Sequence, residues 1–205
     1  MPENSLTHKI DALLPQTQCR LCGYNGCKPY AAAMAKGETP ISKCQPGGVE
    51  TLHALGDLLG IDPAPYEAEV KAQTKSAQIV VIREDECIGC MKCIRACPVD
   101  AIIGAAKQMH VVIASDCTGC ELCIRPCPVD CIDIISIAEP SEPQKQMNAE
   151  RWRARYEART ERLARIKQQE KEKHLEQKKN SDSRQETIEN RRKFIAEAIE
   201  RTQKK

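Results

Sequence analysis

Apolar residues in this chain fall into three kinds of pattern, and each predicts a different element. The runs Ile79 to Ile82, Met109 to Ile113 and Ile132 to Ile137 are short and β-branched, which favours strands over helices. Lys28 to Lys36 is alanine-rich and stops at Gly37, the residue best suited to the left-handed turn that closes a helix, and Val49 to Leu59 reads as a second helix. Between them Pro40 to Cys44 returns the chain, and Pro46-Gly47-Gly48 breaks it. Beyond Pro140 and Pro143 the apolar positions thin out. There Trp152, Tyr156, Leu163 and Ile166 fall at helical spacing with Arg159 in the same seam, and Ile188, Ile195 and Ile199 make one stripe, with Phe194 beside it, within Thr187 to Thr202.

The middle strands belong to a repeat. Aligning Gln78 with Gln108 matches Val81 with Val111, Ile82 with Val112, Ile94 with Ile124, Arg95 with Arg125, Val99-Asp100 with Val129-Asp130, and Ile102 with Ile132. Each half reads strand, cysteine loop, short helix, strand. The loops carry Cys87, Cys90, Cys93, Cys97-Pro98 and Cys117, Cys120, Cys123, Cys127-Pro128, two copies of C-x2-C-x2-C-x3-C-P. Three thiolates at such short intervals can wrap one face of an iron-sulfur cube, and Gly89 and Gly119 allow the tight turns between the first two. The fourth cysteine lies a helical turn further on and points to the neighbouring site, as in bacterial two-cluster ferredoxins. The predicted ligand sets are therefore crossed: Cys87, Cys90, Cys93 and Cys127 for one 4Fe-4S cluster, and Cys117, Cys120, Cys123 and Cys97 for the other. Zinc, the alternative for C-x2-C pairs, is expected from separated pairs and not from four close cysteines ending in proline. Aromatic residues make up only 3% of the chain, so this domain is expected to use metal-thiolate bonds in place of a large apolar core and to be unfolded or disordered without its clusters.

Five of the 13 cysteines lie outside these sets. Cys19, Cys22, Cys27 and Cys44 form C-x2-C-x4-C-x16-C, with Gly23 and Gly26 opening the loop. Spacing alone leaves this third site open between zinc and a 4Fe-4S cluster; its place beside two ferredoxin sites favours the cluster, for three in all. Cys131 aligns with Ala101 and reads as a buried small residue. His53 reads as a surface or packing histidine, and Arg95 and Arg125 as parts of solvated faces. Disulfides are not expected where the thiols have metal spacing.

The residues Ile10-Asp11-Ala12-Leu13-Leu14-Pro15-Gln16-Thr17-Gln18-Cys19, Cys22-Gly23-Tyr24, Gly26-Cys27, Tyr30-Ala31 and Cys44-Gln45-Pro46-Gly47-Gly48, followed by the double cysteine run, resemble the B subunit of the Rnf/Rsx electron-transport complex. The likeness covers roughly the first two-thirds of the chain. It implies an electron-relay subunit in which the twelve motif cysteines hold three 4Fe-4S clusters. It also implies redox partners: the membrane subunits of an ion-coupled ferredoxin:NAD oxidoreductase or, in some bacteria, a system that reduces a redox-sensing transcription factor. Members of that family usually begin with a hydrophobic membrane helix, whereas Met1 to Lys9 is short and polar, and nothing approaches the roughly twenty apolar residues that cross a bilayer. The expected location is the cytoplasm, with peripheral association at the inner face of the cell membrane.

The expected architecture is α+β. It comprises an N-terminal iron-sulfur domain over 1–61, a linker over 62–77, ferredoxin-type repeats over 78–107 and 108–139, and a charged, partly helical tail over 140–205. From Lys145 onward the chain holds 19 Lys and Arg against 11 Asp and Glu, while residues 1–144 hold 12 against 18. A basic tail on an acidic head reads as a solvated extension or a docking element for a protein partner. Basic residues alternating with Glu, and few stacking aromatics, argue against nucleic acid. Three functions remain: electron-transfer subunit or free polyferredoxin, redox partner of a nucleic-acid-associated iron-sulfur protein, and structural zinc or iron-sulfur protein. The first is favoured, and it requires no catalytic residue of the chain's own.

Overall fold

Ile10 and Leu14, at the end of α1 (Pro2–Leu13), start the N-terminal core. They pack with Tyr30, Ala31 and Met34 of α2 (Cys27–Ala35), with Ile41, with Leu52 and Leu55 of α3 (Gly48–Leu59), and with Val70 of α4 (Glu67–Gln73). The structure is a computed structural model that describes residues 2–203. α2 ends as expected at Gly37, which takes φ 71° and donates its N–H to the Met34 carbonyl. The return of the chain is pinned by one side chain. Tyr30, 1% exposed, donates its hydroxyl to the Pro40 carbonyl at 2.8 Å and accepts the Lys43 N–H at 3.2 Å.

Two of these helices, α1 and α4, were not expected. The segment assigned as a linker, 62–77, contains α4, and Val70 is buried in the N-terminal core with Tyr66 packed beside it. These two residues lie one turn apart in an otherwise charged stretch, so the segment carries too few apolar positions to show a helical stripe in sequence.

The repeat halves exchange strands. β1 (Gln78–Ile82) precedes the first cysteine loop and pairs antiparallel with β4 (Ile132–Ser136), which follows the second, in the register Val80 to Ile134 and Ile82 to Ile132. Conversely β2 (Ile102–Ile103), after the first loop, pairs with β3 (Val111–Val112), before the second. Each sheet is thus built from both halves, and the small core between them contains Val80, Ile82, Val99, Ile102 and Ile132. The first loop leads into the expected short helix, α5 (Lys92–Ala96). The second does not: residues 122–126 form only a turn. Pro126 stands where the first repeat has Ala96, and it lacks the N–H and the ring clearance that a helix needs over Leu122.

α6 (Glu142–Gln203) corrects the expected boundary at Pro140, because the first compact unit runs to Arg159. Trp152 and Tyr156 pack on the ferredoxin core. Arg155 donates to the carbonyls of Val99 and Asp100 at 2.8 and 2.9 Å, Arg159 reaches Asp100 Oδ1 at 3.3 Å, and Arg151 reaches the Ser115 carbonyl at 3.1 Å. On its other side the same stretch holds the N-terminal domain. Arg153 donates to Oδ2 and the carbonyl oxygen of Asp11 at 2.9 and 2.8 Å, and the Tyr156 hydroxyl donates to the Asn25 carbonyl at 3.0 Å. Arginines that look solvated in sequence are here spent on carbonyls and carboxylates. The second unit, 160–203 within the described residues, is helical, and its Leu163, Ile166, Leu175, Ile188, Phe194, Ile195 and Ile199 are exposed.

Candidate iron-sulfur centres

A polar relay fixes Cys27 of the N-terminal quartet. The segment before it takes left-handed backbone at Gln16, Gln18 and Arg20, with φ 57°, 55° and 63°. Gln16 donates to the Asp11 carbonyl at 2.7 Å and to its Oδ1 at 3.1 Å, Gln18 donates to Gln16 Oε1 at 2.8 Å, and Gln18 Oε1 accepts the Cys27 N–H at 2.9 Å. Arg153 closes the outer end of this chain on Asp11. Both glutamines are almost fully buried, so the bonds they make lie away from water, where an unmade one costs most. Cys27 is thereby fixed at the head of α2, while the Tyr30 clamp returns Cys44. Burial, then the neighbouring thiols, push the Cys27 thiol up to about 12; burial likewise raises Cys44 and Cys22.

The ferredoxin cysteines line two small cavities. Cys87, Cys90, Cys93 and Cys127 line one, shared with Ile82, Ile88, His110, Val129, Cys131 and Ile132. Cys97, Cys117, Cys120 and Cys123 line the other, with Val80, Ala101, Ile102, Thr118 and Glu121. The fourth cysteine of each run therefore faces the other run's three. Two glycines set how closely the loops approach neighbouring backbone. Gly89 and Gly119 take φ 65° and 64°, and a Cβ there would overlap the backbone of Gln108 or of Gln78.

The donor chemistry fits iron-sulfur clusters. Burial pushes the Cys93 and Cys120 thiols up to about 11 and Cys123 to about 12. Thiolates this costly to form in an apolar cage need a cationic group to hold them deprotonated, and soft sulfur sets suit iron-sulfur cores. Backbone N–H groups already point at sulfur, from Ala101 to Cys97 at 3.2 Å and from His110 to Cys87 at 3.4 Å.

Cys131 is buried, as the repeat alignment led us to expect, but it is not inert in geometry: its Sγ lies 3.6 Å from that of Cys127. His53 is half exposed and pairs with Glu67 at 2.6 Å. The side chains that spacing did not reveal are Asp11, Gln16, Gln18 and Arg153 in the relay, and His110, which is 1% exposed beside Cys93. The signal for His110 was present as a break in the repeat, since its aligned partner is Val80.

Among the described residues no helix is long and apolar enough to cross a membrane. Residues 80–134 match the family model "4Fe-4S dicluster domain", and residues 14–46 match "Putative Fe-S cluster". Relatives named as the B subunit of the ion-translocating oxidoreductase complex also match the chain. The protein from Hahella chejuensis is 64% identical over 132 residues, covering 64% of this chain and 66% of the relative. That from Shewanella sp. strain ANA-3 is 57% identical over 136 residues, 66% and 69% of the two chains, and that from Shewanella pealeana is 56% identical over 147, 71% and 76%.

Proposed function

This chain belongs to the family of B subunits of ion-translocating oxidoreductase complexes, and on that premise we propose that it relays single electrons through three 4Fe-4S clusters. Cys87, Cys90, Cys93 and Cys127 would hold one, Cys97, Cys117, Cys120 and Cys123 the second, and Cys19, Cys22, Cys27 and Cys44 the third. When bound, each cluster supplies a one-electron redox centre. The observation that carries this reading is the crossed arrangement of thiols around two cavities, which ties the two ferredoxin sites into one folded piece.

The rest of the chain holds these sites still and dry. Val80, Ile82, Ile102 and Ile132 wall the cages against water, and strand exchange makes movement of one site relative to the other costly. The relay from Arg153 to Cys27 holds the N-terminal quartet against the same framework. Cys19 of that quartet and Cys117 and Cys120 of the second cage line one larger cavity, which supports an order in which the Cys117 site stands between the other two. The partners would be the other subunits of a membrane-bound oxidoreductase, reached from the cytoplasmic face by peripheral association, with the tail beyond Arg159 as a docking element.

Direct electrochemistry on the anaerobically purified protein tests the relay. Three reversible one-electron couples are expected; cysteines occupied by a metal without any couple in the ferredoxin range would leave a structural metal protein instead.

A further inference from the structure

The two ferredoxin cages are related by the repeat, so any difference between them is a local choice of side chain. The largest difference is at His110. Its ring is buried, and its Nδ1 lies 3.1 Å from the Cys93 sulfur. The aligned residue, Val80, lines the other cage with no polar atom. We propose that His110 donates its Nδ1–H to the Cys93 sulfur and thereby raises the reduction potential of the Cys87, Cys90, Cys93 and Cys127 site, so that the two halves of the repeat hold electronically unlike centres. The proposal rests on the reading that these four thiols hold a 4Fe-4S cluster.

Three observations support it besides the distance. A cysteinate can only accept, so the proton belongs on Nδ1. The Nε2 atom, buried without a partner, is then a bare lone pair, the cheaper atom to leave unpaired. The ring sits in a slot made for it: Gly104 adopts φ 152°, and a Cβ there would overlap the imidazole Cδ2, whereas its repeat partner is Ile134. A second side chain adds to the same cage, because Cys131, with its Sγ 3.6 Å from Cys127, replaces Ala101 of the other.

A hydrogen bond to a ligand sulfur favours the state that carries one more negative charge, and burial strengthens that preference. The other cage has Thr118 in place of Ile88, a buried hydroxyl beside Cys120 that acts on that sulfur and not on Cys93. It also has the Glu121 carboxylate, paired with Lys75 at 2.5 Å, and Arg159 acts with opposite charge near Cys97. None of these touches Cys93, so the effect of His110 is confined to its own site.

The experiment is an anaerobic redox titration of the full chain, with dithionite as reductant and mediators, followed by electron paramagnetic resonance on wild type, His110→Val and His110→Asn, with iron and sulfide measured on each. The valine variant is expected to keep its iron and to lose about tenfold in the reduction equilibrium of one centre, a fall of ~59 mV for one electron. The other potentials should stay in place. Asparagine, whose amide nitrogen can stand where Nδ1 stood, should recover most of the shift. With 15N-labelled histidine, pulsed resonance of the reduced wild type should show a nitrogen coupling that the valine variant lacks. Unchanged potentials in a fully loaded valine variant would overturn the proposal. If that variant sheds iron, the asparagine variant and the nitrogen coupling decide, and absence of coupling in wild type overturns it. Iron missing from the wild-type site would remove the cluster reading, and the proposal with it.

Discussion

Replacing Cys97 with alanine is expected to strip the cage that also contains Cys117, Cys120 and Cys123, although Cys97 belongs to the first cysteine run. Cys97 closes α5, where its N–H bonds the Cys93 carbonyl at 3.0 Å, yet its sulfur accepts the Ala101 N–H and faces the second run. Its loss removes one of four thiolates and leaves a buried void, so about a third of the iron should disappear. The resonance signal of the Cys87 site should persist. A variant that instead disturbs only the Cys87, Cys90 and Cys93 site would show the ligand sets to be uncrossed.

Shortening the chain at Pro140 is expected to destabilise the protein severely, while ending it after Arg159 should leave melting and iron content near those of the full chain. The shorter form loses Trp152 and Tyr156 from the ferredoxin core and Arg153 from Asp11, whose side chain is only 9% exposed. A carboxylate left buried without its partner costs about 3 kcal/mol, and the Gln16 to Cys27 relay that leans on it is released as well. Thermal unfolding and iron analysis of the two truncated forms check this. Equal melting of the Pro140 form and the full chain would mean that α6 only rests on the head.

What the sequence made legible was what short spacing determines. The strands around Ile79 to Ile82 and Ile132 to Ile137, the helices after Cys27 and Val49, and the repeat itself follow from residues close in the chain. The exchange of β1 with β4 was hidden, because the pairing partners are distant in sequence and either half alone offers strands of its own. So was the use of α6: Arg151, Arg153, Arg155 and Arg159 lie among charges that elsewhere in the same helix are solvated, and only the carbonyls they meet distinguish them. At the centres, the grouping of thiols is encoded by loop spacing and the fourth cysteine's position. The residues around them are encoded by packing: Gln16 and Gln18 by a relay that crosses the domain, and His110 by the slot at Gly104.

The central claim is that this chain is built around three iron-sulfur clusters. Its most direct test is the analysis of iron, acid-labile sulfide and zinc in one anaerobic preparation of the full chain. About twelve iron and twelve sulfide per chain, with no zinc, are expected. About eight iron with one zinc would contradict the N-terminal assignment, and zinc without sulfide would contradict the whole.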